Sequence, residues 1–211
     1  MKGLIKKDFL LIKSNLKSFI VIILVFTLFS MKGEGFDVSF ILPFIAIMMF
    51  ISTFSWDEFN NFNAYAITLP IGRRNIVKSK YISAIIFIAI DTIIGLIISY
   101  LTTILSKNIF DIEAILSNLF GTILGLSIIL AIWLPIVYKF GVEKGRIMLF
   151  VGVFAIVFLC ATLSKLFDFT SLINFLNSLD KVLFIAIPLI SIAIMIISYL
   201  ISVRIYLKKE F

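Results

Sequence analysis

The sequence predicts an all-α integral membrane protein of six transmembrane helices, with both termini on the cytoplasmic side. Three observations carry that expectation. Of 211 residues, 62% are hydrophobic and 15% charged; the apolar residues fall in continuous runs of about 20; and lysine and arginine collect in alternate connections. A water-soluble domain of this size needs a polar surface and has too little interior for so much apolar side chain. In a bilayer the outer surface is itself apolar, and a mean hydropathy of +1.18 is ordinary. A membrane barrel would alternate polar and apolar residues, and that alternation is missing.

Six runs can be marked, at about 16–31, 36–56, 81–105, 118–138, 147–163 and 182–203. At 1.5 Å per residue each comes close to the ~30 Å of a hydrocarbon core. The first and fifth are short and can begin inside their flanking segments. Ser30-Met31-Lys32-Gly33-Glu34 is a poor cleavage site, so the first run reads as a retained span rather than a removed signal peptide. The chain is then one transmembrane domain, 1–211, with no internal repeat.

The charges test this topology. The N-terminal segment, the connections 57–80 and 139–146, and the C-terminal tail hold 15 of the 19 Lys and Arg. The opposite side keeps Lys32, Lys107, Lys165 and Lys181. Basic residues stay with the cytosol, which places both ends inside. The net charge of +7 therefore reports topology and not nucleic-acid binding, since no contiguous basic domain exists. Histidine is absent and Cys160 is the single cysteine, within an apolar run. That removes His-dependent triads, zinc-dependent intramembrane hydrolysis in its usual form, and any internal disulfide. Cys160 reads as a small packed hydrophobe.

Pro43, Pro135 and Pro188 lie within spans, where each removes a backbone donor and can kink its helix. Gly121 and Gly125 are four apart and allow close helix approach.

Four segments are candidates for function. Met1–Lys17 has Ile5, Phe9, Ile12 and Leu16 at helical spacing, with Lys2, Lys6, Lys13 and Lys17 to one side. It is either an amphipathic helix in the membrane interface or an inward extension of the first span, and Leu10 and Leu11 blur its polar face. The connection from Asp57 opens with Asp57 and Glu58, which suit a helix N-terminus. It continues through Phe59, Phe62 and Tyr65 to a break at Leu69-Pro70-Ile71-Gly72, and Asn75 is placed to cap the next helix. Aromatic side chains beside charges fit a docking surface, or rings lying on the headgroup layer. Asp91 is the one ionisable residue well inside a span. With Thr92, Ser99 and Thr103 it either lines a pathway or holds helices together. The outer connections 107–118 and 165–181 mix acids with apolar residues and fit interfacial loops or short helices.

A resemblance emerges at these residues. A basic entrance ending in Leu4-Ile5-Lys6-Lys7-Asp8 leads into one span, a short outer loop and a second span. An acidic pair comes next, then Tyr65-x-x-x-Leu69-Pro70-x-x-Arg73 and a basic run into span three. This resembles the permease subunit of ABC-2 type transporters, particularly the small bacterial branch that includes phenol-soluble modulin exporters. The order and length agree over nearly the whole chain, and the specific residues lie in the first 80. The resemblance implies an interfacial elbow helix over 1–15, carrying Lys2, Lys6, Phe9 and Lys13. It implies a coupling helix at 57–69, with Asp57, Glu58, Phe62, Tyr65, Leu69, Pro70, Arg73 and Arg74, and a smaller one at 139–146, with Lys139, Glu143, Lys144 and Arg146. These would dock on two copies of a cytoplasmic ATP-binding cassette subunit, and the permease would pair with a second copy or a paralogue in the bacterial cell membrane. Amphipathic cytolytic peptides are the cargo of that branch.

No nucleotide site is present in the chain itself. Gly141-Val142-Glu143-Lys144-Gly145-Arg146 comes nearest to a P-loop and lacks its lysine and hydroxyl. Mg-ATP is therefore expected in a partner, and this chain is expected to be a transport subunit and not an enzyme. A stand-alone secondary transporter or channel is the alternative, although it would place several polar groups at mid-membrane and the sequence offers Asp91. A membrane-embedded enzyme lacks the acid, base or metal constellation it would need.

Overall fold

A computed structural model describes residues 2–30, 41–68, 72–105, 112–166 and 180–209. Leu69, Pro70, the first outer loop, most of the two later outer connections, and the side chains of Thr103 and Cys160 lie outside the described residues. The described residues form helices and no strand. The helices are α1 (Lys2–Ser30), α2 (Ile41–Phe59), α3 (Phe62–Thr68), α4 (Arg73–Leu105), α5 (Ile112–Phe140), α6 (Val142–Leu166) and α7 (Asp180–Lys208).

Among these residues four stretches are long and apolar enough to cross a bilayer: Leu42–Phe59, Arg73–Leu101, Asn118–Phe140 and Ala186–Lys208. A fifth is added if Lys2–Ser14 and Leu16–Thr27, bent by 58°, count as one broken span. Next to the bend the Ser14 hydroxyl donates to Leu11 O at 2.7 Å, a back-bond of the kind that bends helices. The helices overrun the apolar windows because backbone hydrogen bonding continues into the polar flanks. α4, for example, starts two turns before Tyr81.

Helices in lipid gain little from burying apolar surface against one another, so association rests on packing and on polar contacts. Both are present. An aromatic column crosses the bundle: Phe87 of α4 meets Phe50 of α2 at 5.4 Å, Phe54 meets Trp133 of α5 at 5.2 Å, and Tyr138 meets Tyr206 of α7 at 5.4 Å. Such pairs contribute about 0.5–1.5 kcal/mol each beyond area burial. Phe9 stacks on Phe87 at 5.6 Å and holds the first half of α1 against α4.

The polar contact has a cause in the sequence. Pro135 has no N–H, so it leaves the carbonyl of Ala131, four residues back, without its helical donor. Ser198 of α7 supplies the replacement, its Oγ lying 2.6 Å from Ala131 O. Its proton is thereby committed, and Ser198 must accept from Tyr81 of α4, at 2.6 Å. Tyr81 in turn must accept from Ser202, at 2.7 Å. One proline in α5 thus explains a hydroxyl relay that ties α4, α5 and α7 together. Gly121 and Gly125 have no described atom within 4 Å of where a Cβ would stand, so neither serves a close approach among the described residues. Gly145 does: a Cβ there would stand 2.7 Å from Val137 Cγ2, where α5 and α6 pack as a hairpin.

Candidate functional site

The first turns of α1, α4 and α6 and the last turns of α2, α5 and α7 gather at one end of the bundle, with α3 lying across it. Asp57 and Glu58 do not begin a helix here, as the sequence had implied; they form the last turn of α2. Carboxylates at a helix C-terminus oppose its dipole, so each needs compensation from elsewhere. They find it inside the protein.

Asp57 is 6% exposed and pairs with two lysines. One Oδ bonds Lys7 of α1 and the other lies 2.7 Å from Lys80 of α4. Lys80 Nζ also donates to Asp8 Oδ1 at 2.7 Å and to Thr53 Oγ1 at 3.4 Å, so one ammonium serves both carboxylates. The second oxygen of Asp8 accepts from Ser83 Oγ at 3.1 Å. Two carboxylates and two ammonium groups therefore form a neutral buried cluster joining α1, α2 and α4. Lys7 is its most accessible member. Burial, reinforced by the like charge of Lys80 and opposed by Asp57, pulls the Lys7 ammonium below its ordinary pKa. Its Nζ also sits 3.5 Å from the centre of the Phe62 ring, which brings α3 into the cluster.

Glu58 is engaged too. Its Oε2 accepts from the backbone N–H of Val142 at 2.7 Å, capping the N-terminus of α6 from another helix. The chain reverses between α5 and α6 through a single residue, Gly141, at φ +87°. The segment 139–146 is accordingly not a helix of its own. Lys139 closes α5, Glu143, Lys144 and Arg146 lie in the first turns of α6, and all four side chains are exposed.

α3 is amphipathic over two turns. Its inner face carries Phe62, Asn63, whose Oδ1 is 3.4 Å from Tyr206 Oη, and Ala66, which is buried. Its outer face carries Ala64, Tyr65 and Thr68. With Phe59, which is 80% exposed, Tyr65 at 60% makes an aromatic surface at this end. The α2–α3 turn is made by Asn60 and Asn61, the latter at φ 49°, a conformation Asn tolerates. Beneath α3 lies a cavity of about 280 Å³, bordered by the charge cluster and by Tyr138, whose hydroxyl has no partner among the described residues.

The remaining predicted residues sort clearly. Arg73 does not face outward: its Nη1 reaches the carbonyls of Leu207 and Lys209 at 3.3 and 3.2 Å, at the C-terminus of α7. Arg74 is exposed, and Asn75 sits inside α4 and not at its cap. Along α1, Lys2, Lys6 and Lys13 are exposed, but the buried stripe is Leu4, Asp8 and Ile12, with Phe9 half-buried and Leu16 out. Asp91 is 7% exposed beside a cavity of about 20 Å³, room for about one water. Thr92 and Ser99 donate to their own helix, at Ala89 O and Leu96 O. Sequence reasoning missed Lys7, Asp8, Lys80 and Ser83; the available signal was register, since Asp8 stands four residues from Leu4 and Ile12, and Lys80 four from Ile76 and Ala84, on faces that helical spacing makes apolar.

A helical membrane protein with a polar, aromatic-edged end is the class that fold and site define. The chain belongs to the ABC-2 family of transporter proteins, whose family model matches residues 3–207. Members of that family are membrane subunits of transporters and work with ATP-binding cassette subunits. No curated protein and no solved structure matches the chain.

Proposed function

We propose that this chain is the permease half of an ATP-driven exporter, with six spans, both termini in the cytosol and α3 as its coupling helix. Segregation of lysine and arginine to the α3 end supports the orientation. The 25 residues of α6, apolar from Ile147 onward, support a further span. Lys2–Ser14, set at 58° to Leu16–Thr27 and with Lys2, Lys6 and Lys13 outward, supports the elbow reading.

The observation that carries the proposal is the pairing of an unsatisfied aromatic surface with a satisfied charge cluster. Phe59 and Tyr65 offer ring surface, while Asp57, Glu58 and Arg73 are occupied within the chain. Docking of the ATP-binding subunit therefore rests on the rings, with Arg74 and Lys144 at the rim. α3 lies over a cavity instead of a solid core, so it can shift as the cassettes close on ATP. The cluster passes that shift to α1 and α4 through Phe62, Lys7, Asp57 and Lys80. Nucleotide and Mg²⁺ belong to the partner, in two copies around two permeases. Cargo is amphipathic peptide or a similar amphipathic compound, as in the phenol-soluble modulin exporters that the chain resembles.

The test is a Phe59→Ala/Tyr65→Ala variant expressed with its ATP-binding subunit. We expect a folded permease that no longer co-purifies with the ATPase. Undiminished co-purification would remove α3 as the docking element.

A further inference from the structure

α2 and α6 touch at two levels and separate between them. At one level Glu58 bonds Val142 N at 2.7 Å; at the other, Phe44 and Phe150 meet at 6.5 Å. The two contacts are about 21 Å apart along α2, at 1.5 Å per residue. Between them runs an open groove of about 450 Å³, bordered by Met48, Ile51, Ser52, Trp56, Phe59 and Arg146. The Ser52 and Ser55 hydroxyls are spent on Met49 O and Ile51 O, which leaves the walls apolar. One charge stands in it. Arg146 is exposed and has no carboxylate partner among the described residues. It lies about 6 Å past Val142, level with the last turns of α2, where the half-exposed Trp56 supplies an indole, a side chain enriched at the headgroup level of membrane proteins.

We propose that this groove is a binding site for an anionic phospholipid of the leaflet on the α3 side. The phosphate bonds the Arg146 guanidinium, whose planar fork matches it. One acyl chain runs along Ile51 and Met48 toward the Phe44–Phe150 contact. Charge complementarity selects this occupant: an unpaired cation beside an apolar trough fits an anionic head with an apolar tail. A second copy of the chain would bring another Arg146 and no acid from this surface. The inference rests on the membrane reading and is independent of the exporter reading.

The chain has two tryptophans, and Trp133 is buried in the core. A Trp133→Phe variant therefore leaves Trp56 as sole reporter for quenching by brominated phosphatidylglycerol against brominated phosphatidylcholine, with the protein in bilayers of each mixture. The expected result is a preference of about fivefold for the anionic lipid, the size of effect that one basic side chain near a membrane surface gives. Adding Arg146→Gln should bring it close to one. Equal quenching by both lipids, a preference that survives Arg146→Gln, or no quenching by either because protein covers the groove would each overturn the proposal. Native mass spectrometry of the unmodified chain supplies a second readout. Phosphatidylglycerol should be retained by the parent and lost in Arg146→Gln; equal retention overturns the site.

Discussion

Replacing Lys80 by glutamine removes the cation that both buried carboxylates share. Asp8 is 1% exposed and Asp57 6%, so neither can turn to water. Two negative charges are then left against Lys7, which lies 3.6 Å from Asp8. Breaking a buried pair in this way costs about 3–5 kcal/mol, since an uncompensated charge is left behind. Asp8→Asn is expected to cost less, about 1–3 kcal/mol. It leaves Asp57 with both lysines, and Lys7 is exposed enough to reach solvent. The Lys80→Gln/Asp8→Asn pair restores one acid against one base, Asp57 with Lys7. It should recover at least ~2 kcal/mol relative to the sum of the singles. Unfolding in mixed micelles by dodecyl sulfate titration, followed by the fluorescence of buried Trp133 in a Trp56→Phe background, measures all three. A Lys80→Gln variant within ~1 kcal/mol of the parent, or strictly additive singles, would refute the shared-charge account.

Gly141→Ala places a Cβ 3.0 Å from Glu58 Oε1 at φ +87°, and should cost about 2 kcal/mol in the same titration. Ser198→Ala leaves Ala131 O without a donor and should cost about 1–3 kcal/mol. Adding Pro135→Ala returns an N–H to that carbonyl, so the double variant should be more stable than Ser198→Ala alone. Asp91→Asn removes a buried charge with no described partner, and should leave stability equal to the parent or up to ~1 kcal/mol higher. A loss of more than ~1 kcal/mol would instead show that its carboxylate holds helices together.

How much of this was legible in the sequence differs between fold and site. Each described helix longer than α3 contains most of a marked apolar run, because hydropathy over 20 residues reports directly on the solvent a segment meets. The helix ends were not legible. α4 begins at Arg73, since a charged turn can stay helical outside the hydrocarbon. Gly141 and Glu58 fix the α5–α6 reversal through a contact 84 residues apart in sequence, which no local pattern contains. The same reason hid the charge cluster. Asp57 and Glu58 look like docking charges when read beside Phe59 and Tyr65, and the bundle turns them inward only by bringing Lys7, Lys80 and the start of α6 alongside. Pro135 was visible as a kink, but its consequence at Ser198 depends on how α7 packs. Conversely, the aromatic character of this end was legible, because Phe59, Phe62 and Tyr65 stand beside charges in a connection outside the apolar runs; that Phe62 turns inward while Phe59 and Tyr65 stay exposed follows from the turn at Asn60 and Asn61.

The outer face of α3 is expected to meet an ATP-binding subunit in the cytosol. Site-specific incorporation of a photo-crosslinking amino acid at Tyr65, with the exposed Phe154 of α6 as control, addresses it directly. Irradiation of cells expressing both chains should join the permease to the ATPase from Tyr65 and not from Phe154. Crosslinks from neither position, or from Phe154 alone, would contradict the assignment.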